Sequence, residues 1–265
     1  MSVTGFRRSF LATRFGALHH WTIGSGADLL LLHQSAQSAD EFLAVAPLLA
    51  VGYRVISLDL PGHGASDTPD HELSVDEYSE SVMTLLDELD VGTTHVLGHH
   101  GGCMLAANLA VMHPDRVDRL ILSGGGYPDP DVADLLLNNP MTRDLPLDAE
   151  GDYLLKTWAV YRKMSAPDTT LETTFLPFVT GLKARLRPYD MHFEVLRWDY
   201  GAALDKLANK TLLIKAEHDH FAGDVAGLDR ALHDSEMVVL PDCGPWLFYE
   251  KPEACANAVR DFLAR

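Results

Sequence analysis

From about residue 28 the chain alternates short aliphatic runs with amphipathic helical stretches, and no other feature restricts its fold as strongly. Strands that each lead into a helix return parallel to one another, with helices covering both faces of the sheet. Leu29–Leu32 is the first such run. A helix is expected from Ser38, because Ser38 and Glu41 have the spacing of a capping box. Phe42, Val45, Leu48 and Leu49 follow at helical intervals, and Gly52 closes the segment. Val55–Leu58 then leads into the turn-rich stretch from Asp59 to Asp67. Ser74 and Glu77 form a second capping box, ahead of a stripe of Val75, Tyr78, Val82, Leu85 and Leu89.

His95–Leu97 reads as a short strand, followed by Gly98-His99-His100-Gly101-Gly102 and a helix from about Cys103 to Met112. Arg119–Ser123, Thr211–Lys215 and Met237–Leu240 supply three more strands, and Pro252–Ala264 a last helix. Residues 128–198 break the rhythm. Helical segments are expected from Asp129-Pro130, over Tyr153–Met164, Leu171–Leu186 and Met191–Trp198, with no strand between them. The expected architecture is a mostly parallel α/β core, residues 1–127 and 199–265, with a helical cap inserted at 128–198.

A formal net charge of −17 argues against nucleic acid or an anionic membrane surface as the main partner. No apolar run reaches the roughly 20 residues of a membrane helix. The stretch from Arg7 to Leu11 lacks the long apolar region of a targeting segment and runs into a plausible first strand. Cys103, Cys243 and Cys255 show neither paired nor metal-ligand spacing and read as the reduced thiols of a cytoplasmic protein. Oligomeric state is not legible.

The pentapeptide Gly98–Gly102 carries the chemistry. Glycines two before and two after a central residue, between strand and helix, suit a turn too sharp for side chains at the flanks. On these five residues alone, a plain strand–turn–helix connection with two exposed histidines weighs as much as a nucleophile elbow. The surroundings tip the balance, because the order of segments resembles the α/β-hydrolase superfamily over nearly the whole chain. Leu31-Leu32-His33-Gln34 is similar to its strand and oxyanion loop, and Asp59 to Asp67 to the loop after the following strand. His113-Pro114-Asp115-Arg116-Val117 matches the segment after the elbow helix. Ala216-Glu217-His218-Asp219 looks like the turn bearing the triad acid, and Glu250-Lys251-Pro252-Glu253 like the start of the last helix.

The resemblance implies an α/β-hydrolase sheet, but two positions depart from its pattern. His100 stands where the nucleophilic serine is expected, and Gly244-Pro245 where Gly-His is expected. Of a Ser-His-Asp triad only the acid, Asp219, remains, so ordinary serine chemistry is not available. An imidazole on the elbow extends further than a serine hydroxyl and could lean toward the vacated histidine site near Asp219. His100 would then serve as base or nucleophile, with Asp219 orienting it. The resemblance assigns the oxyanion to the backbone N–H groups of Gly101 and Ser35, with the Gln34 amide as an added donor. Trp246 would line an apolar pocket or fill the vacated space.

Bland readings accompany the others. His99 is expected to be structural, and His33 to bond the loop backbone. His19, His20, His71 and His220 are expected at the surface, and Cys103 in the core. The pairs His99-His100 and His218/His220 lack the helical spacing of a zinc motif, so neither metal nor cofactor is expected. The leading function is cofactor-independent hydrolysis of an ester- or lactone-type bond in a small, largely apolar carbonyl compound. Lyase-, decarboxylase- or oxygenase-like chemistry with His100 as base is the first alternative, and a non-catalytic ligand-binding role the second.

Overall fold

A computed structural model describes residues 5–127, 129–138, 148–184 and 191–265. Its strands are β1 (Arg7–Thr13), β2 (Gly16–Gly24), β3 (Ala27–Leu32), β4 (Tyr53–Leu58), β5 (Thr94–His99), β6 (Val117–Ser123), β7 (Thr211–Ala216) and β8 (Ser235–Leu240). They form one eight-stranded sheet in the order β1-β2-β4-β3-β5-β6-β7-β8. β1 and β2 pair antiparallel, β2 joins β4 antiparallel, and every pairing from β4 to β8 is parallel.

The central parallel strand β3 is buried on both faces because its aliphatic run is unbroken. Leu29 and Leu31 point to one side, where they join Phe42, Leu97, Ile121 and Phe248. Leu30 and Leu32 point to the other, with Val96, Leu105, Leu120 and Leu122. The helices α1 (Ala46–Leu49), α2 (Val75–Glu88) and α3 (Gly101–Met112) follow β3, β4 and β5 in turn. At the N-terminus of α2 the Ser74/Glu77 capping box forms as the spacing predicts.

Between β6 and β7 the described residues contain helices and no strand: α4 (Pro130–Leu137), α5 (Asp152–Met164), α6 (Leu171–Ala184), α7 (Met191–Arg197) and α8 (Tyr200–Leu204). Residue 128, the expected boundary of the insertion, and residues 185–186, the expected end of α6, lie outside the described residues. The chain closes with α9 (Val225–Ala231), α10 (Leu247–Glu250) and α11 (Pro252–Leu263). No helix among the described residues is long and apolar enough to cross a membrane.

Two local expectations are corrected. The helix expected from Ser38 is split into a 3-10 turn, Ala39–Phe42, and the short α1, and Ser38 makes no side-chain cap. Glu41 is turned inward instead, only 1% exposed. His19 and His20 are buried as well, because β2 is an interior strand between β1 and β4. His19 Nδ1 lies 2.9 Å from Oδ2 of Asp59, whose other oxygen accepts the Ala39 N–H.

Candidate active site

The side chains of interest converge at the carboxyl ends of the parallel strands, where an open α/β sheet leaves room for a ligand. β5 ends at His99, and the chain then turns so sharply that His100 takes φ 45 and ψ −111 before α3 begins at Gly101. A side chain at Gly98 would put its Cβ 2.1 Å from the Gly102 carbonyl oxygen, and one at Gly102 would lie 2.3 Å from that of Leu32. Both glycines are therefore required by backbone crowding. The His100 N–H donates to the Ser123 carbonyl at 2.9 Å, which ties the bend to the end of β6.

Asp219 comes from the turn after β7, held there by its N–H to the Ala216 carbonyl and by the Phe221 N–H to its Oδ1. Its Oδ2 lies 3.2 Å from His100 Nε2. The ring N–H is not aligned with that oxygen, so the contact is a charge pair rather than a directed hydrogen bond. Burial opposes charge on both groups. Their mutual attraction outweighs it, holding the His100 imidazole above its ordinary value and the Asp219 carboxyl below its own. The His100 side chain keeps 13% of its surface exposed, and Asp219's none. His100 also packs against Phe221, 6.1 Å between ring centres.

Gly124, at φ +68 after β6, backs this pair: a Cβ there would sit 2.8 Å from His100 Cε1 and 3.1 Å from Asp219 Oδ2. Only glycine leaves the space the two side chains occupy. Its place in the site was not read from the sequence.

Gly101 and Ser35 come together as expected of neighbours across the loop. A Cβ on Gly101 would meet Ser35 Oγ at 2.4 Å and Ser35 N at 3.3 Å. Among the described residues neither N–H has an acceptor, and Ser35 Oγ is buried without a partner. Gln34 does not match its expectation as an added oxyanion donor. Its side-chain Nε2 donates to Glu41 Oε1 at 2.7 Å and its N–H to Glu41 Oε2 at 3.1 Å. A buried carboxylate must gather donors, and Gln34 supplies two of them. Trp246 is 3% exposed and stacks on Tyr161 of α5, 5.1 Å apart and nearly parallel, while its Nε1 has no partner. Pro245 beside it is buried.

His33 bonds the loop backbone as expected: Nδ1 meets the Gln34 carbonyl at 2.8 Å and Nε2 accepts the Leu60 N–H at 3.1 Å. Burial, reinforced by neighbouring His63, lowers its pKa to about 4, so the ring is neutral as these two bonds require. Cys103 is fully buried and its thiol is pushed up by burial. Among the described residues, the groups that could gather on a metal ion reduce to Glu217, His218 and Asp242, none of them buried, and the set excludes His99, His100 and Asp219.

Comparison with known proteins bears on the fold that carries these residues. Residues 29–252 match the family model described as alpha/beta hydrolase fold. A Pseudomonas putida protein named 2-hydroxy-6-oxononadienedioate/2-hydroxy-6-oxononatrienedioate hydrolase 2 is 30% identical over 93% of this chain and 91% of its own. Among solved structures, a hydrolase from Pseudomonas aeruginosa superposes with a TM-score of 0.82 at 23% identity, covering 98% of this chain and 99% of its own. The enol-lactonase from Burkholderia xenovorans reaches 0.75 at 20% identity, over 97% of this chain and 100% of its own.

Proposed function

This chain belongs to the alpha/beta hydrolase fold family, and on that premise we propose that it is a cofactor-independent hydrolase in which His100, paired with Asp219, does the work usually given to serine. The observation that carries the reading is the 3.2 Å approach of His100 Nε2 to Asp219 Oδ2 at the top of the elbow. An imidazole so placed takes the position of the missing alcohol and reaches the acid that the missing histidine would have met.

In this reading the substrate is a small, largely apolar carbonyl compound, with an ester, an enol-lactone or an activated carbon–carbon bond next to a ketone. Both relatives above that have specific names, one a hydrolase of an oxo-dienedioate and one an enol-lactonase, support that range. Asp219 engages the Nε2 edge of His100, which leaves Nδ1 to accept a proton. Neutral His100 takes a proton from water as the water oxygen adds to the carbonyl carbon. The oxyanion so formed is received by the N–H groups of Gly101 and Ser35, which have no other acceptor among the described residues. Collapse breaks the bond to the leaving group, and the imidazolium returns the proton to it. The helices between β6 and β7 serve as the cap: Met191 of α7 reaches Gly101, and Tyr161 of α5 stacks on Trp246.

The test is turnover of a panel of aryl esters, enol-lactones and vinylogous diketones in water enriched in oxygen-18. Hydrolysis by the wild type, with one solvent oxygen in the acid product and loss of turnover in His100→Ala, is the expected result. Full turnover by His100→Ala on the same substrate would overturn the reading.

A further inference from the structure

Directly behind His100 lies a second carboxylate–imidazole pair that the proposed reaction does not use. His99 is completely buried and Glu41 nearly so, at 0% and 1% exposure. Oε1 of Glu41 is hydrogen-bonded to His99 Nδ1, and the same carboxylate accepts both donors of Gln34. The His99 ring stands between two others, edge-on to Phe248 at 5.0 Å and tilted 45° against His100 at 4.4 Å. Its Nε2 is buried with no partner.

We propose that Glu41 is a positioning residue: through His99 it fixes the tilt of the His100 imidazole and adds a second negative charge behind it. The proposal rests on the catalytic reading of His100 for its functional meaning, but its physical content does not. A carboxylate this deeply buried stays ionised only if donors surround it, and Glu41 has three, from His99 and Gln34. The His99 ring then donates from Nδ1 and keeps Nε2 unprotonated, since a proton there would find no acceptor. A neutral His99 can lie against a charged His100, whereas a second imidazolium at that distance would repel it.

Burial keeps His99 below its ordinary pKa despite the attraction of Glu41, whereas His100 is held above its own. The pair of imidazoles therefore carries its extra proton on His100. The groups facing His100 are Asp219 from the turn after β7, His99 from β5 and, behind that ring, Glu41 from the 3-10 turn. Phe221 and Gly124 complete the wall without charge.

The experiment is an imidazole NMR titration of the intact chain, with His100 and His99 assigned by His100→Gln and His99→Gln. In the wild type, His100 is expected to titrate above 6.5 and His99 below it. In Glu41→Gln, the His100 midpoint falls by roughly half a pH unit or more, and the pH limb of turnover moves down with it. An unmoved His100 midpoint in folded Glu41→Gln would overturn the proposal. So would a wild-type His99 that titrates like an ordinary imidazole, a result that does not depend on Glu41→Gln folding. If the midpoint shifts while His100→Ala turns over at full rate, the catalytic reading fails and the positioning stands. An unmoved midpoint with turnover still dependent on His100 does the reverse.

Discussion

His100 Nε2 and Asp219 Oδ2 meet 3.2 Å apart although one residue follows β5 and the other β7, with β6 between them in the sheet. The spacing is possible because Gly124, at the end of β6, has no side chain to separate them. A pair assembled from two strand ends over a third cannot be an accident of neighbouring positions, and removing either member should be felt at the other.

His100→Ala should lower turnover by about 10²- to 10⁴-fold, the usual contribution of a positioned general base. Asp219→Asn should lower it less, because the ring remains but loses the charge that fixes its orientation. Steady-state rates of both variants on the best substrate of the panel, with circular dichroism to confirm folding, decide this. Equal rates in wild type and His100→Ala would leave the elbow without a chemical role.

The pH dependence of turnover has a definite sign. A general base must be unprotonated, and His100 is held above its ordinary value by Asp219 against the opposing effect of burial. Activity should therefore rise with pH through a midpoint above 6.5, and Asp219→Asn should move that midpoint down. The effect on stability runs the other way. A proton bound more tightly in the folded state stabilises fully below 6.5, and the benefit fades as pH rises through the folded value. Profiles of kcat/KM from pH 5 to 9 give the first sign, and urea midpoints over the same range the second.

His33 should make the fold labile to acid. Its pKa of about 4, set first by burial, lies below the ordinary 6.5, so between those values the unfolded chain binds the extra proton and stability falls as pH drops. The difference corresponds to about 3 kcal/mol lost by pH 4. His20, His95 and His99 are lowered by burial as well and push in the same direction. Denaturant melts at pH 4 and pH 7 measure the total, and His33→Gln should show a smaller difference between them. An equal difference in that variant would remove His33 from the account.

Gly124→Ala should separate strain from chemistry. The added Cβ would fall 2.8 to 3.1 Å from His100 and Asp219, at a φ of +68 that alanine adopts poorly. The backbone cost is about 1–2 kcal/mol. Turnover should drop by roughly 10²-fold because reacting groups displaced by an ångström lose that much. A crystal structure of the variant should show the His100–Asp219 contact lengthened. If contact and rate both survive, Gly124 is a connector and nothing more.

Local sequence determined the elements that local contacts decide. The unbroken run Leu29–Leu32 could only be a strand covered on both faces, and its four side chains do divide between the two core clusters. Ser74 and Glu77 cap a helix because both partners lie within one turn of each other. Gly98 of the elbow was legible for the same reason, since the atoms that exclude a Cβ there belong to Gly102 and Cys103. Glu41 carried the same three-residue spacing from Ser38 and was read the same way, yet its partners are Gln34 and His99.

Only the tertiary structure could decide that. β3 pairs with β5 in the sheet, which brings the loop after one strand against the last residue of the other, and a carboxylate buried there binds whatever donor the register supplies. The same holds for His19, drawn to Asp59 by the pairing of β2 with β4. Composition and periodicity fix which way a side chain faces along its own strand. The order of strands fixes what it meets there, and the two imidazole–carboxylate pairs of this site are made entirely of such meetings.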